Sequence, residues 1–170
     1  MALADDQNII DVLIAVDAES LVATLAPGSA AAPTPVTGDS IYMMVRSGNA
    51  VFGQASKELK LSARTMDVIR WRMTSLSFNA GYFGLMYKFF ALNGGQLIST
   101  PEPLLAQVNA PLPDPANPAV PKTQTIQSYF WNCNVLAQGE VTYAFQFMIC
   151  DRAGKACGYY FWDPFIAITD

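Results

Sequence analysis

The feature that most constrains the fold is a two-residue period in the last third of the chain. Between Val141 and Ile149 every second side chain is large and apolar, and most of those between are smaller or polar. Because successive side chains of a β-strand point to opposite faces of the sheet, this pattern predicts a strand with one buried face. Shorter alternations of the same kind occur at 10–16 and 69–73. The residues predicted to form the core are Ile10, Val12, Ile14, Val16, Ile69, Trp71, Met73, Val141, Tyr143, Phe145 and Phe147.

Other parts of the chain are typical of short strands separated by turns. Ser47-Gly48-Asn49 and Gln138-Gly139 have the composition of hairpin turns, and only 17–25 is typical of a helix, with Asp17 placed to cap it. The sequence therefore predicts an all-β fold: a two-layer antiparallel β-sandwich, jelly-roll-like, with one short helix. Further strands are predicted at 40–46, 51–55, 58–62, 80–91, 124–136 and 157–168.

The length and composition of the chain match one folded domain. It has 170 residues, of which 52% are hydrophobic and 14% are charged, whereas ordinary domains contain about 25% charged residues. This composition excludes intrinsic disorder for most of the chain. A chain of this length usually forms one hydrophobic core. We therefore expect a single domain over residues 1–170.

Two segments are rich in proline and match no regular element. Residues 26–39 contain three prolines and residues 101–121 contain seven. Proline fixes φ and lacks the N–H donor, so it is excluded from central strands. The sequence therefore predicts that 101–121 is a long proline-rich loop, either a crossover on the sandwich surface or a docking arm or lid.

Charge and composition exclude several classes of function. The chain has no histidine, which excludes histidine-based nucleophiles, histidine-ligated zinc and histidine pH switches. Its net charge is −4 and its basic residues form no cluster, which argues against nucleic acid as a partner. The N-terminus lacks the features of a signal peptide, and the apolar run 78–92 is too short to span a membrane. We therefore expect a cytoplasmic protein without membrane insertion.

No group of residues predicts a catalytic or metal site. Asp11, Asp17 and Asp163 could supply the carboxylates of a glycosidase, but solvent-facing strand ends explain them more simply. Cys150 and Cys157 flank a predicted hairpin loop and could form a disulfide, whereas a reducing cytoplasm favours free thiols packed as small apolar groups. We expect no enzyme activity, no catalytic residues, no cofactor and no metal.

The most conspicuous polar motif is Arg70-Trp71-Arg72. If Trp71 is buried, both guanidinium groups lie on the outer face of the sheet and could hold a carboxylate or sugar hydroxyls. The alternative is cross-strand ion pairing with Glu140 or Asp151. Aromatic rings beside amides or carboxylates are also typical of sugar-binding sites. The candidate ligand-binding residues are Arg70, Arg72, Trp131, Asn132, Asn134, Trp162 and Asp163.

Two segments carry apolar side chains on both faces. Residues 80–91 are one, and the consecutive rings Tyr159 to Trp162 are the other. Because the core covers only one face of a strand, the other face requires a loop, a ligand or a second subunit. We expect a homodimer, and a sugar or a host-surface ligand is the alternative partner.

Three segments follow one another in a recognisable order: DVLIAVD at 11–17, DVIRWRMTSLS at 67–77 and GYYFWDPFIAI at 158–168. In this order and spacing they resemble the AidA/PixA family of bacterial inclusion-body proteins. The resemblance implies a β-sandwich protein made in quantity, often under density-dependent (quorum-sensing) control, and in some members stored as crystalline cytoplasmic inclusions. The resemblance names no enzyme activity. The resulting hypothesis is a non-catalytic protein acting in accumulation, inclusion formation or host interaction; the alternative is a lectin-like sandwich that binds a carbohydrate or another small ligand.

Overall fold

Strands make up 61% of the structure, as the two-residue period predicts. The structure is a computed structural model that describes residues 7–77 and 80–169. It contains one α-helix, α1 (Ala18–Thr24), and two 3-10 turns, Ser47–Asn49 and Gly95–Leu97. The strands are β1 (Ile9–Val16), β2 (Thr34–Pro35), β3 (Ile41–Met44), β4 (Ala50–Phe52), β5 (Lys60–Arg64), β6 (Val68–Ser75), β7 (Phe83–Asn93), β8 (Glu102–Asp114), β9 (Asn117–Asn134), β10 (Gly139–Cys150), β11 (Ala156–Trp162) and β12 (Phe165–Thr169).

The first sheet contains five strands in the order β3-β1-β6-β9-β8. β1 pairs with β3 on one side and with β6 on the other, so that Val12 lies beside Trp71. β6 pairs with β9 only at residues 131–134 of β9. The rest of β9 pairs with β8, the last strand of this sheet. The outer face of β1, β6 and β9 carries the candidate site.

The second sheet is organised around β10. One edge of β10 pairs with β7, and the other pairs with β11 and then with β12. β11 and β12 follow one line, because the register against β10 continues unchanged from Trp162 to Phe165. Asp163 and Pro164 interrupt this line, and on its far side β11 pairs with β2 whereas β12 pairs with β5. The strand predicted at 157–168 is therefore two strands with one register.

The prediction of an all-β sandwich is confirmed, although the sheets are mixed rather than antiparallel throughout. The pairs β1–β6, β2–β11 and β5–β12 are parallel. Each of these pairs joins strands that are far apart in the chain. Alternation of side chains reports which face is buried and not the direction of the neighbouring strand, so it does not predict these pairs.

The predicted helix is present in the structure, whereas the hairpin predicted at residues 47–49 is not. Helix α1 lies within the predicted range 17–25, and Asp17 accepts a hydrogen bond from the Ser20 N–H at 3.1 Å as its N-cap. Residues 47–49 do form a turn, but the strands on either side of it pair with β1 and β5 rather than with each other, so the hairpin predicted there is wrong. No helix in residues 7–77 and 80–169 is long and apolar enough to cross a membrane.

The interior between the sheets is aromatic. Trp71 and Tyr143 are fully buried with their ring centroids 5.6 Å apart, and the Trp71 indole N–H donates to the Tyr143 hydroxyl at 3.0 Å. Ten of the eleven predicted core residues are buried. Met73 is only partly buried, because β6 leaves β9 beyond Trp71 and the side chain borders the resulting gap.

The prediction that 101–121 is a loop is wrong. Residues 102–114 and 117–134 pair antiparallel as β8 and β9. From the pair Leu104 and Phe130 onward, where β9 has left β6, the two strands form a two-stranded ribbon. The ribbon together with its base, residues 102–130, is called here the arm. Most residues of the arm are exposed. Proline excludes a central strand, but it is compatible with a strand whose outer edge has no neighbour.

Three prolines of the arm, Pro103, Pro111 and Pro121, occupy one class of position. The Val135 N–H donates to the backbone carbonyl of Asp67 on the β6 side at 2.9 Å, whereas the Asn134 N–H donates to Ser99 Oγ on the opposite side at 2.9 Å. Because N–H groups alternate along a strand, odd-numbered residues of β9, and the residues opposite them in β8, direct their N–H away from the partner strand. The ladder between β8 and β9 therefore needs no donor from Pro103, Pro111 and Pro121, whereas Pro113 and Pro118 lie beyond the register shift that follows Leu112.

Candidate functional site

The arginine face is the outer surface of the first sheet around Arg70 and Arg72. Asp11, Arg70 and Asn132 lie in register across β1, β6 and β9. Because Trp71 points into the core, the arginines on either side of it emerge toward solvent, as the sequence predicts. The face carries a shallow depression of about 290 Å³, lined by Asp11, Val12, Leu13, Arg70, Arg72 and Phe130.

Asp11 holds Arg70 in a two-point ion pair. The Nε and Nη2 groups of Arg70 each donate to one carboxylate oxygen of Asp11 at 2.7 Å. Two parallel hydrogen bonds fix the plane of the guanidinium group. Both side chains are partly exposed, so the pair contributes about 0–1 kcal/mol to stability. Its main effect is to orient Arg70.

The ion-pair partners predicted for the arginines, Glu140 and Asp151, lie elsewhere. Glu140 pairs with Lys60 of the second sheet. Asp151 accepts hydrogen bonds from the Ala153 and Lys155 N–H groups of its own loop, each at 2.9 Å. That prediction is wrong because the true partner of Arg70 comes from the parallel pairing of β1 with β6, a contact between residues 59 positions apart.

Phe130 lies close to both guanidinium groups. The Cζ atom of Arg70 is 5.5 Å from the centroid of the Phe130 ring, and the Cζ atom of Arg72 is 5.6 Å from it. These distances are typical of cation–π contacts. Across the described ranges, Arg72 forms no ion pair with a carboxylate. Arg72 is exposed, so its N–H donors face solvent beside an aromatic ring.

This arrangement suits binding better than catalysis. A guanidinium group with solvent-facing donors matches the geometry of a carboxylate or phosphate, and an adjacent ring can pack against an apolar or sugar face. The carboxylate of Asp11 is already engaged by Arg70. The depression is shallow, so it can hold one acidic group or one sugar ring rather than enclose a whole ligand.

The structure brings together only part of the predicted ligand set. Asn132 is half-buried beside the arginines, and Asn134 is exposed on the same face of β9. Trp131 and Trp162 are buried at 5% and 2% exposure, and neither lines the depression of the arginine face. Asp163 is exposed at the break between β11 and β12, in the other sheet.

Sequence reasoning missed two residues of the site, Phe130 and Leu13. Phe130 is two positions from Asn132, and Leu13 is two positions from Asp11, so each shares a strand face with a residue already singled out. Extending each candidate by one step of the two-residue period would have found both. The same rule would have placed Trp131 on the opposite face from Asn132.

The outer face of the second sheet is partly covered by its own chain. Tyr160 and Trp162 lie in the core, so Tyr159 and Phe161 point outward. The ring of Tyr87 contacts that of Tyr159 edge to face, with centroids 5.8 Å apart. Both outward rings are half-buried. This aromatic run therefore does not by itself require a second subunit.

The three cysteines are free thiols, and no disulfide joins Cys150 to Cys157. Burial raises the pKa of Cys133 to about 12. Burial also raises the pKa of Cys150, and the negative charges of Cys157 and Asp151 add to the effect. At neutral pH both thiols are protonated, and a protonated thiol is a weak nucleophile.

The aspartates considered as a catalytic pair have separate structural positions. Asp11 pairs with Arg70, Asp17 caps α1, and Asp163 lies in the second sheet. Within the part of the chain that the structure describes, no three Cys, Asp or Glu side chains are grouped to hold a metal ion.

Comparison with known sequences establishes the family. The sequence profile of PixA, described as an inclusion body protein, matches residues 8–168. The chain belongs to the PixA inclusion body protein family. The resemblance inferred from the three segments is therefore confirmed. No curated protein matches the chain.

A solved structure of the PixA family shares the fold. The crystal structure of the inclusion body protein PixA from Burkholderia cenocepacia superimposes with a TM-score of 0.79 at 19% identity and covers 99% of this chain and 100% of that one. A cysteine protease inhibitor, EhICP2 from Entamoeba histolytica, matches 65% of this chain and 86% of its own at 16% identity, with a TM-score of 0.31. Similarity at that level supports no functional argument.

Proposed function

We propose that this chain is a non-catalytic protein that self-associates and accumulates in the cytoplasm, in keeping with the description of its family. The observation that carries the proposal is a row of exposed apolar side chains on one face of the arm. We call this row the arm stripe. It consists of Leu104, Val108, Leu112 and Ile126.

The arm stripe is continuous because its residues share one face of the ribbon. All four are even-numbered, and the register places Val108 opposite Ile126 and Leu104 opposite Phe130. Their exposed fractions range from 39% to 47%. A two-stranded ribbon is only marginally stable by itself, and contiguous exposed apolar residues mark interaction surfaces. Both points support association through the arm.

The chemistry of the described residues supports a role other than catalysis. The chain has no histidine, and the raised pKa values of Cys133 and Cys150 keep these thiols protonated at neutral pH. The acidic residues considered for catalysis do not converge on one cavity. The candidate functional features are instead two surfaces, the shallow arginine face and the apolar arm.

Self-association can be tested by sedimentation velocity over about 1–200 μM protein. We expect species heavier than the 18.5 kDa monomer, increasing with concentration. Replacing the four stripe residues by threonine should weaken this association, because threonine keeps the β-propensity and removes apolar area. A matched control replaces four exposed apolar residues outside the arm by threonine: Val51, Phe52, Leu76 and Leu136.

The control variant should sediment like the unmodified chain. A chain that stays monomeric over the whole concentration range would overturn the self-association proposal.

Electron microscopy of cells that produce the protein tests accumulation, and dense cytoplasmic bodies are the expected result. Immunoblots at low and high cell density test density-dependent control, for which a constant amount per cell is the contrary result.

A second candidate function is favoured by the arginine face. Arg72 carries solvent-facing donors beside Phe130, which suits an acidic sugar or another small carboxylate. This second candidate is a lectin-like protein, and a host-surface sugar is one ligand it would take. Its binding site consists of Arg70, Arg72, Phe130, Asn132 and Asn134.

Thermal shift and calorimetry with uronic acids, sialic acid and their neutral counterparts test this second candidate. We expect acidic sugars to bind and Arg72→Gln to abolish the binding. Arg46→Gln is the control, because Arg46 is exposed but lies away from the depression. Equal binding by the Arg72 and Arg46 variants would reject the arginine face as a ligand site.

A further inference from the structure

Within the described residues no other strand covers the outer edges of the arm. β9 pairs with β6 only from residue 131 onward, so Lys122–Ser128 has β8 on one side and no strand on the other within the described residues. We call this segment the free edge. The N–H groups of its odd-numbered residues, Thr123, Thr125 and Gln127, point away from β8 by the same alternation that places the prolines.

The two outer edges of the arm differ in where proline interrupts them. On β8 the outward positions Pro103 and Pro111, at the two ends of residues 104–110, supply no N–H to a neighbouring strand. On β9 the outward Pro121 borders residues 122–128 at the tip end only. Proline on an edge strand is one way that proteins prevent pairing with another chain. The β8 edge is therefore interrupted by proline at both ends, whereas the free edge is interrupted at one.

We propose that the free edge pairs antiparallel with the free edge of a second copy of this chain, about a two-fold axis near Thr125. The inference rests on the proposed self-association and names its surface. In this pairing Thr123 of each copy lies opposite Gln127 of the other, and the two arms form a four-stranded sheet. Directly opposite residues of antiparallel strands point to one face, so the two arm stripes join on the same side.

A second copy fits this edge because the edge is complementary to itself. A strand that pairs antiparallel with its own copy satisfies two-fold symmetry, the commonest symmetry of protein dimers. Lys122 is the only charged residue between 115 and 130, and the Asp114 carboxylate of the same chain lies 2.8 Å from its Nζ atom. Two free edges can therefore approach without repulsion between like charges.

The pair Gln107 and Gln127 provides a matched test. These residues lie directly opposite each other, are both exposed, and both direct their N–H outward, on β8 and β9 respectively. Gln127→Pro removes a donor from the free edge, whereas Gln107→Pro removes one from the β8 edge, which prolines interrupt at both ends. Neither substitution removes a hydrogen bond between β8 and β9. We expect Gln127→Pro to raise the dimer dissociation constant about tenfold or more and Gln107→Pro to leave it unchanged.

Sedimentation velocity on both variants and the unmodified chain separates the outcomes, with circular dichroism to compare their folding. Association that persists unchanged in Gln127→Pro, or is lost equally in Gln107→Pro, would overturn pairing through the free edge while leaving self-association intact. A monomeric unmodified chain would overturn both.

Hydrogen exchange on the unmodified chain gives a second readout that does not depend on a variant. The amides of Thr123, Thr125 and Gln127 should become protected as protein concentration rises. The outward amides of Gln107 and Asn109 should exchange fast at every concentration. Equal exchange on the two edges of the associated protein would contradict the inference.

Discussion

A buried hydrogen bond between Trp71 and Tyr143 links the two sheets through their side chains. Trp71 belongs to β6 of the first sheet and Tyr143 to β10 of the second, and both are fully buried. The Tyr143 hydroxyl oxygen accepts the indole N–H at 3.0 Å in surroundings that are otherwise apolar. Burial also raises the pKa of Tyr143, so its hydroxyl stays protonated. A buried polar pair of this kind fixes how the two sheets lie against each other.

Tyr143→Phe should destabilise the protein although it removes only one oxygen atom. The Trp71 N–H would remain buried without its acceptor, which costs about 1–3 kcal/mol. Urea unfolding followed by circular dichroism measures the loss. Tyr159→Phe, on the half-buried outer face, is the control and should change stability by less than about 0.5 kcal/mol. A Tyr143→Phe variant as stable as the unmodified chain would show that the hydrogen bond contributes nothing.

At the residue scale, local patterns predict which way a side chain points but not what it contacts. The burial of Trp71, and with it the outward direction of Arg70 and Arg72, follows from the two-residue period. The pairing of Arg70 with Asp11 does not, because it depends on a parallel contact between distant strands. The outward direction of Arg70 and Arg72 was therefore predictable from the sequence, whereas the partner of Arg70 was not.

At the scale of the element, the tip of the arm is held by one acidic side chain. Asp114 accepts a hydrogen bond from Lys122 Nζ at 2.8 Å and another from the Ala116 N–H at 3.0 Å. The hydrogen bond from Lys122, followed by that from Ala116, lowers the pKa of Asp114 below its ordinary 3.8. These contacts close the turn between β8 and β9.

Acidification should loosen the tip of the arm. The folded carboxylate of Asp114 binds a proton less readily than the unfolded one, so its stabilising contribution is present above about pH 4 and is lost as pH falls through the folded pKa. The chemical shift of the Ala116 amide should follow this titration between about pH 2 and 6, with a midpoint below 3.8. In Asp114→Asn the shift should stay flat, and a midpoint at or above 3.8 in the unmodified chain would contradict the prediction.

The arm is the element that sequence reasoning placed wrongly, and the reason is physical. Proline is a strong signal against a central strand, and it says little about a ribbon with open edges. A clue lay in the numbering, since Pro103, Pro111 and Pro121 are all odd and the even-numbered Pro118 lies beside the turn, beyond the register shift. The regular ladder of a hairpin tolerates proline only at alternate positions, because the other N–H groups bond to the partner strand. β10, in contrast, was predictable because its alternating large apolar side chains, at the odd-numbered positions from 141 to 149, all face the core between the sheets.

At the scale of the whole molecule, the arm is separate from the core. No residue between Ser99 and Phe130 belongs to the buried apolar cluster, and only Tyr129 packs against it. The Tyr129 hydroxyl donates to the Met86 carbonyl at 2.9 Å, which anchors the base of the arm to β7. Stability should therefore depend on the sandwich and association on the arm.

Replacing Gln107–Gln127 by an Asn-Gly turn should shorten the arm without unfolding the protein. The ladder would then close at the pair Ala106 and Ser128, and Asn-Gly suits a two-residue hairpin. Calorimetry should show one unfolding transition, with Tm changed by less than about 4 °C. Ile14→Ala, a cavity in the core, is the comparison and should lower Tm more. A shortened chain without a cooperative transition would mean that the arm is part of the folding unit.

The start of β1 and the end of β12 lie at the same side of the sandwich. β1 begins beside Val68, β12 ends beside Arg64, and Asn8 and Thr169 line one polar depression there. Asp67 lies beneath it and accepts hydrogen bonds from the Asn8 and Arg64 N–H groups at 3.2 and 2.8 Å. A short linker could therefore join these two strands, and the chain could be reopened at the tip of the arm. Such a circular permutant should fold to the same sandwich, because the packing of the sheets does not depend on which strand is synthesised first.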